Sequence, residues 1–142
     1  VHEILTRGEL LLVFPEGLPA IGKPFSQRYQ LHPFREGHAE MAIRHSVPIV
    51  PVAVVGAEEQ IVTLGRLPIR AFGLPYLPVP LTPVPLPVRY HLWYGAPLHV
   101  EREHPPEAAD DAAVVQAVAA RVQAEVARLL ERGLAERRGV FR

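Results

Sequence analysis

The sequence predicts an α/β domain with a mainly parallel, mixed sheet flanked by helices, and three observations carry that prediction. At 142 residues the chain makes one ordinary domain, able to bury roughly 68 to 70% of the surface it exposes when unfolded. Two continuous apolar runs, Leu10–Phe14 and Val47–Val55, flank a helix-patterned segment. Strand, loop, helix, strand in that order implies a right-handed crossover between parallel strands. A long amphipathic segment near the C-terminus supplies a helix to cover the sheet.

In chain order, Ile4 and Leu5 followed by Arg7-Gly8 read as the last turn of a helix with a glycine stop. Leu10–Phe14, closed by Pro15, suits a strand buried on both faces. Residues 15–33 hold Gly17, Pro19, Gly22, Pro24 and Pro33 and form a long loop, a length that tends to be functional. Glu36–His45 is a short helix with Ala39, Ala42 and Ile43 on one stripe and Met41 beside it. Val47–Val55 is the second buried strand, ending at Gly56.

Ala71–Val88 has no charged side chain and is bracketed by Arg66, Arg70 and Arg89. That length approaches the roughly 17 to 25 residues that span a bilayer. The prolines between Pro75 and Pro87 cancel the comparison, since each costs about 3 kcal/mol in a helix interior. An extended, polyproline-like strap with Tyr76, Leu77, Leu81 and Leu86 as apolar teeth is expected, meeting either the sheet edge or a lipid surface. Val88–Tyr94 alternates, with Val88, Tyr90, Leu92 and Tyr94 on one face and Arg89, His91 and Trp93 on the other, which predicts a strand. From Glu107 to about Arg132 lies the clearest helix. Glu107, Asp110 and Asp111 in its first turns and Arg128 and Arg132 in its last match the macrodipole. Val115, Val118, Val122, Val126, Leu129 and Leu130 form its apolar stripe, with Arg121, Glu125 and Arg128 at pairing distance on the other side.

Composition narrows the function. Fifteen Lys and Arg against fifteen Asp and Glu give zero net charge, without the basic footprint of a nucleic-acid binder. Charged residues at 21% and hydrophobic ones at 49% describe a folding chain. With no cysteine there is no disulfide, no thiolate nucleophile and no Cys-based metal centre. His38-Ala39-Glu40 has the H-x-E form of zinc deaminases, but its cysteine partners do not exist, so it reads as a helix-surface pair. Ser26 and Ser46 lack a G-x-S-x-G elbow, Asp110 and Asp111 are explained by a helix start, and no histidines have H-E-x-x-H spacing. No metal or bound cofactor is expected.

Phe14-Pro15-Glu16-Gly17 puts a carboxylate and a flexible glycine directly after the first expected strand, the end of an α/β sheet at which substrates bind. Glycine lets a ligand approach the backbone, a carboxylate accepts hydrogen bonds from hydroxyls, and Lys23, Arg28 and Arg35 supply cations for a phosphate. Taken alone, the four residues fit a tight turn with a solvated glutamate better.

Neighbouring blocks decide between these readings. Val13–Gly17, Gly22-Lys23-Pro24-Phe25, Arg28-Tyr29-Gln30-Leu31, Phe34-Arg35-Glu36-Gly37 and the run Val47 to Glu59 resemble the lysophospholipid/glycerolipid acyltransferase superfamily, and most closely its monoacylglycerol/diacylglycerol-acyltransferase-like branch. The likeness continues through Gly73–Pro78, Leu86–Arg89 and Tyr94–Pro97 to the acidic-capped last helix. It covers the chain from about Leu5 onward. The resemblance implies transfer of a fatty acyl group from acyl-CoA or acyl carrier protein to a hydroxyl of a glycerolipid or lysophospholipid acceptor. It assigns Glu16 and Gly17 to acceptor binding, where Phe14, Pro15, Lys23, Arg28 and Arg35 are expected to join them, and the helix begun by Phe34 and Gly37 to buttressing that block. Its general base is a His in an H-x-x-x-x-D motif ahead of F-P-E-G, where a neutral imidazole can take the alcohol proton.

The chain departs from the family there: no histidine has Asp five positions on, and His104 lies six before Asp110. With Val1 rather than Met at its start, the expectation is one partial, C-terminal portion of the domain, catalytically incomplete alone. Its blocks are residues 1–56 for the acceptor and the following strand, 66–97 for the strap and strand, and 107–133 for the last helix. An isolated chain should then expose apolar surface along the missing sheet edge. The expected location is the cytoplasmic side of a membrane, peripheral or anchored by an N-terminal segment. The competing expectation is a non-catalytic lipid-binding or interaction module that keeps the acceptor cleft without the base.

Overall fold

The computed structural model describes residues 2–69 and 76–141. In chain order these form α1 (His2–Thr6), 3-10 turns at Leu18–Ala20 and Phe25–Gln27, α2 (Gly37–Arg44), β1 (Val52–Val55) and α3 (Ala57–Gln60). There follow β2 (Thr63–Leu67), β3 (Leu77–Pro80), β4 (His91–Tyr94), α4 (Val100–Glu103), a 3-10 turn at Pro106–Asp110, and α5 (Ala112–Glu136). No helix among the described residues is long and apolar enough to cross a membrane.

The α/β class holds, but the sheet is not mainly parallel. Among the described residues β1 pairs antiparallel with β4, and β2 antiparallel with β3, as two separate two-stranded sheets. The expected strand Leu10–Phe14 does not form: Leu10, Leu12 and Phe14 are 99%, 74% and 75% exposed. An apolar run becomes a strand only where it finds a ladder partner and a covering layer, and among the described residues this segment has no ladder partner. The strand, helix, strand crossover is therefore absent here.

Val47–Val55 shortens to Val52–Val55, with an isolated bridge from Ile49 to Leu98. Pro48 and Pro51 have no N–H to give a continuous ladder; Pro51 contributes only its carbonyl, to Gly95 N at 2.9 Å. The alternation expected in 88–94 holds where β4 forms. His91 and Trp93 lie opposite Val55 and Ala53, and these two β1 residues pack on Leu129 and Leu130 of α5. Leu92, opposite Val54, and Tyr94, opposite Val52, are exposed on the far side. The strap is also revised. Ala71–Pro75 lies outside the described residues, and Leu77–Pro80 is one strand of a hairpin rather than a free polyproline segment.

The last helix begins later than its acidic residues imply. Glu107 and Asp110 sit in the preceding 3-10 turn, and Asp111 is the N-cap, its Oδ1 accepting from Ala113 N at 2.9 Å and Val114 N at 3.4 Å. The α5 stripe buries Val115, Val118, Ala119 and Val122 against Ala39, Ala42 and Ile43 of α2, with Leu98 and Val100. Val126 touches this cluster and the one beneath β1, so α5 joins the two parts of the core.

Gly133 marks the tightest packing of α5. A Cβ there would stand 2.6 Å from Trp93 Nε1, 2.7 Å from Trp93 Cδ1 and 2.9 Å from Val55 Cγ2. Gly133→Ala gains about 1 kcal/mol of helix propensity and loses about 1 to 3 kcal/mol to overpacking. A net loss of about 1 kcal/mol is expected, read as a lower urea midpoint. A raised midpoint would show that the indole moves freely.

Candidate acceptor-binding corner

Pro15 and Glu16 are the middle of a tight turn, closed by Gly17 N donating to Phe14 O at 3.1 Å; proline suits the second position of such turns. Gly17 holds φ 64°, ψ −154°, a region essentially reserved for glycine. Arg35 fixes the turn from outside. Its N–H donates to Pro15 O at 2.9 Å, and its side chain lies against Gly17, where an added Cβ would meet Nε at 3.2 Å. Phe14 itself is exposed.

Glu16 turns inward. Its Oε2 accepts from His32 N at 2.8 Å and stands 3.6 Å from Lys23 Nζ. Lys23 is buried, and its ammonium is fully engaged: it donates to Gln30 O at 2.9 Å and pairs with Glu58 Oε1 at 2.9 Å. The other Glu58 oxygen accepts from Tyr29 N at 2.8 Å, and Tyr29 OH accepts from Gly56 N at 2.8 Å. Tyr29 adopts φ 63°, a left-handed backbone that a non-glycine residue keeps only when its surroundings hold it there. Burial pushes its phenol above the usual range. A second pair lies alongside. Buried Glu59 accepts from Arg137 Nη1 at 2.6 Å and is 3.9 Å from Arg28 Nε, and its hydrogen bond holds the Arg137 guanidinium above its usual range.

The β2–β3 hairpin grips the same loop from the other side. Arg66 donates to Gly22 O at 3.0 Å and Pro19 O at 2.6 Å and stacks 4.3 Å over the Tyr76 ring. Tyr76 OH lies 2.8 Å from both Leu18 O and Ile21 O. Gly22, at φ 64°, packs so closely on Pro78 that a Cβ would come within 2.6 Å of it.

The structure thus divides the seven residues expected to bind an acceptor. Pro15, Glu16, Gly17 and Arg35 form one corner. Lys23 supports it from beneath, its charge spent on Glu58, Glu16 and a carbonyl. Arg28 stands apart, 4.3 Å over the Phe25 ring and beside Glu59. Among the described residues Arg35 makes no ion pair and Glu16 Oε1 takes no protein donor. The corner therefore brings the Arg35 guanidinium over Gly17, next in the chain to the Glu16 carboxylate. Sequence reasoning missed Tyr29, Glu58, Glu59, Arg66, Tyr76 and Arg137; the available signal was the adjacent pair Glu58-Glu59 just after the glycine that ends a buried strand. Phe34 precedes the helix rather than beginning it, and its N–H docks on Gln123 Oε1 at 3.1 Å. Two shallow pockets lie elsewhere, about 230 Å³ beside His2 and His45 and about 180 Å³ between Tyr29 and Leu134. No group of three or more metal-ligating side chains occurs among the described residues.

His38, behind this corner, has Nδ1 2.7 Å from Arg35 O, while Nε2 is buried without a partner. Burial lowers its pKa. The folded chain then resists a proton that the unfolded chain accepts near pH 6.5, so this residue's contribution is present above that pH and lost as pH falls below it. The expected slope is at most about 1.4 kcal/mol per pH unit. Urea titrations at pH 7 and pH 5 should show a smaller acid loss in His38→Gln. An unchanged pH dependence would remove His38 as the source.

An α/β domain that presents a glycine-hinged carboxylate corner, braced by buried ion pairs, is the class that fold and site define. Residues 1–55 match the family model described as Acyltransferase, which supports the acyltransferase superfamily for this region. Uncharacterized proteins of Mycobacterium tuberculosis and Mycobacterium bovis are each 38% identical to the chain over 151 residues. The alignments cover 99% of this chain and 42% of those proteins. A similar protein of Mycobacterium leprae is 38% identical, with 99% and 41% covered. The chain thus spans less than half the length of these relatives. No solved structure matches it.

Proposed function

We propose that these residues form the acceptor-binding, C-terminal portion of an O-acyltransferase of the glycerolipid branch. The reaction is transfer of a fatty acyl group from acyl-CoA or acyl carrier protein to a hydroxyl of a glycerolipid or lysophospholipid, on the cytoplasmic side of a membrane. The observation that carries the reading is the corner itself: Gly17 in a glycine-only conformation, Glu16 fixed by Lys23 and His32 N, and Arg35 laid across the glycine, all within the residues that match the family model.

The acceptor hydroxyl attacks the thioester carbonyl carbon, the carbon–sulfur bond breaks, and the thiol leaves with the proton the hydroxyl gives up. A base must carry that proton, and this reading places it on a His outside these 142 residues. Glu16 and Arg35 orient the acceptor, through its hydroxyl and an anionic group respectively. The lack of a His with Asp five positions on favours a second reading, a lipid-binding module without transfer.

Thiol release by the full-length protein, given acyl-CoA and a lysophospholipid, tests both. Glu16→Gln should lower turnover about 10²-fold, the scale on which misplacement of reacting groups costs rate. No transfer to any acceptor by the full-length wild type would favour the module, and full turnover in Glu16→Gln would remove Glu16 from the site.

A further inference from the structure

Helix α1 sits against the end of α2 without the apolar burial that holds α2 and α5. None of its residues is buried, and Ile4 and Leu5 are half-buried. Among the described residues its hydrogen bonds and ion pairs stay local, as from Arg7 to Glu3 and from Thr6 to His2 O, with one exception. His2 Nδ1 stands 3.4 Å from His45 Nδ1, across 43 positions of sequence. That separation is longer than the roughly 2.7 to 3.2 Å typical of an N–H donor. The rings, with centroids 5.1 Å apart, are tilted by 42°, neither the offset stack nor the edge-to-face arrangement that aromatic pairs prefer. Ring packing therefore does not explain the pair.

The same distance has a direct meaning in coordination chemistry. Two nitrogens each about 2.0 to 2.1 Å from one tetrahedral zinc ion stand about 3.3 to 3.4 Å apart. A fixed backbone presents His45: α2 ends with Ser46 at a left-handed φ of 53°, Ser46 N donating to Ile43 O at 3.1 Å and Val47 N to Ala42 O at 3.0 Å. A cavity of about 230 Å³ lies at the pair, lined also by Leu5, Thr6, Arg44 and Ser46, with room for the waters that would complete a two-histidine site. Charge at the cavity favours a cation. The Arg44 guanidinium pairs with Asp110 at 2.8 Å and Glu40 at 3.1 Å, so one positive charge meets two negative ones and their sum is minus one. We propose that His2 and His45 hold a divalent transition-metal ion of the zinc class, which clips α1 to the end of α2. Two segments that lead into the corner are then tied at their far ends. One runs from α1 through the exposed Leu10 and Leu12 to the Phe14–Gly17 turn, and the other is α2, which begins just after Arg35. The role is structural, and it stands whether or not the corner transfers an acyl group. Ligands 43 residues apart form no sequence motif, so the pair is visible only in the folded chain.

Isothermal titration of the full-length protein with zinc chloride, after dialysis against a chelator, tests this without any acyl donor. His2→Gln and His45→Gln keep hydrogen-bonding groups but remove an imidazole ligand. Each should weaken zinc binding at least about tenfold, the loss that metal sites show even for changes outside the ligands. His104→Gln should bind as wild type. Zinc should also slow amide hydrogen exchange across residues 2–14 in the wild type and leave it unchanged in both ligand variants. His2 is exposed and His45 half-buried, and an unchanged melting curve without metal confirms that the variants fold. Full zinc affinity in either ligand variant, no zinc binding by the wild type, or an equal loss in His104→Gln overturns the proposal. So does a zinc-bound protein whose residues 2–14 exchange as they do without the metal.

Discussion

Gly56→Ala is expected to destabilise the chain by about 2 to 6 kcal/mol, a large share of the roughly 5 to 15 kcal/mol that keeps a domain folded. Two costs act together. Gly56 sits at φ 109°, where an alanine bears about 1 to 3 kcal/mol of backbone strain. The new Cβ would also stand 2.3 Å from Arg89 O and 3.2 Å from Arg89 C. These are backbone atoms just ahead of β4, so relief requires moving a strand, and overpacking of this kind costs about another 1 to 3 kcal/mol. The site end suffers too, because Gly56 N is the donor that holds Tyr29 OH. Gly65→Ala is the matched control: nothing lies within 4 Å of its Cβ position, and it should stay within about 0.5 kcal/mol of wild type. Urea denaturation of the three proteins decides the matter. A Gly56→Ala midpoint equal to that of the control would mean that β1 and β4 do not approach at this glycine.

How much of this was legible in the sequence depends on how local each signal is. Helices α2 and α5 were readable because their 3.6-residue stripes, Ala39/Ala42/Ile43 and Val115 to Leu130, are short-range patterns and are buried in the structure. Leu10–Phe14 misled because an apolar run carries no information about a ladder partner. Hairpin β2–β3 was hidden by its own composition. Pro78 and Pro80 argue against a strand, and a two-stranded ribbon tolerates them because both of its strands are edges. The Pro15–Gly17 turn was legible as a contiguous motif. Its braces were not: Glu59 and Arg137 are 78 residues apart, and Tyr29 and Glu58 are 29 apart. No periodicity joins such residues, and Lys23 read as a ligand for phosphate because its two carboxylate partners become visible only in the folded chain.

Lys23 is the second position at which a single change should have a large effect. Its side chain is 3% exposed, while those of Glu16 and Glu58 are 17% and 31% exposed. Lys23→Met keeps the aliphatic stem but leaves two carboxylates facing one another and the Gln30 carbonyl without its donor. Removing one member of a buried pair costs about 3 to 5 kcal/mol, and the wetter carboxylates here reduce that to about 2 to 4 kcal/mol. Glu58→Gln asks less: Lys23 keeps Glu16 and Gln30 O, and the amide oxygen can still accept from Tyr29 N, so a loss of about 1 kcal/mol is expected. If the two residues act through each other, the double variant should lose less than the sum of the singles, with a coupling of about 0.5 to 3 kcal/mol. The asymmetry is the informative part. Equal losses in the two single variants would show that Lys23 is held there by its methylene stem, and the Glu16 carboxylate would then owe its placement to His32 N alone. A larger loss for Lys23→Met, together with reduced turnover of the full-length protein under conditions where the variant remains folded, would place the buried ammonium as the positioning residue for the Glu16 corner. Raised KM at near-normal kcat would mean that it places the acceptor, whereas a lowered kcat at unchanged KM would mean that it aligns the bound acceptor for attack.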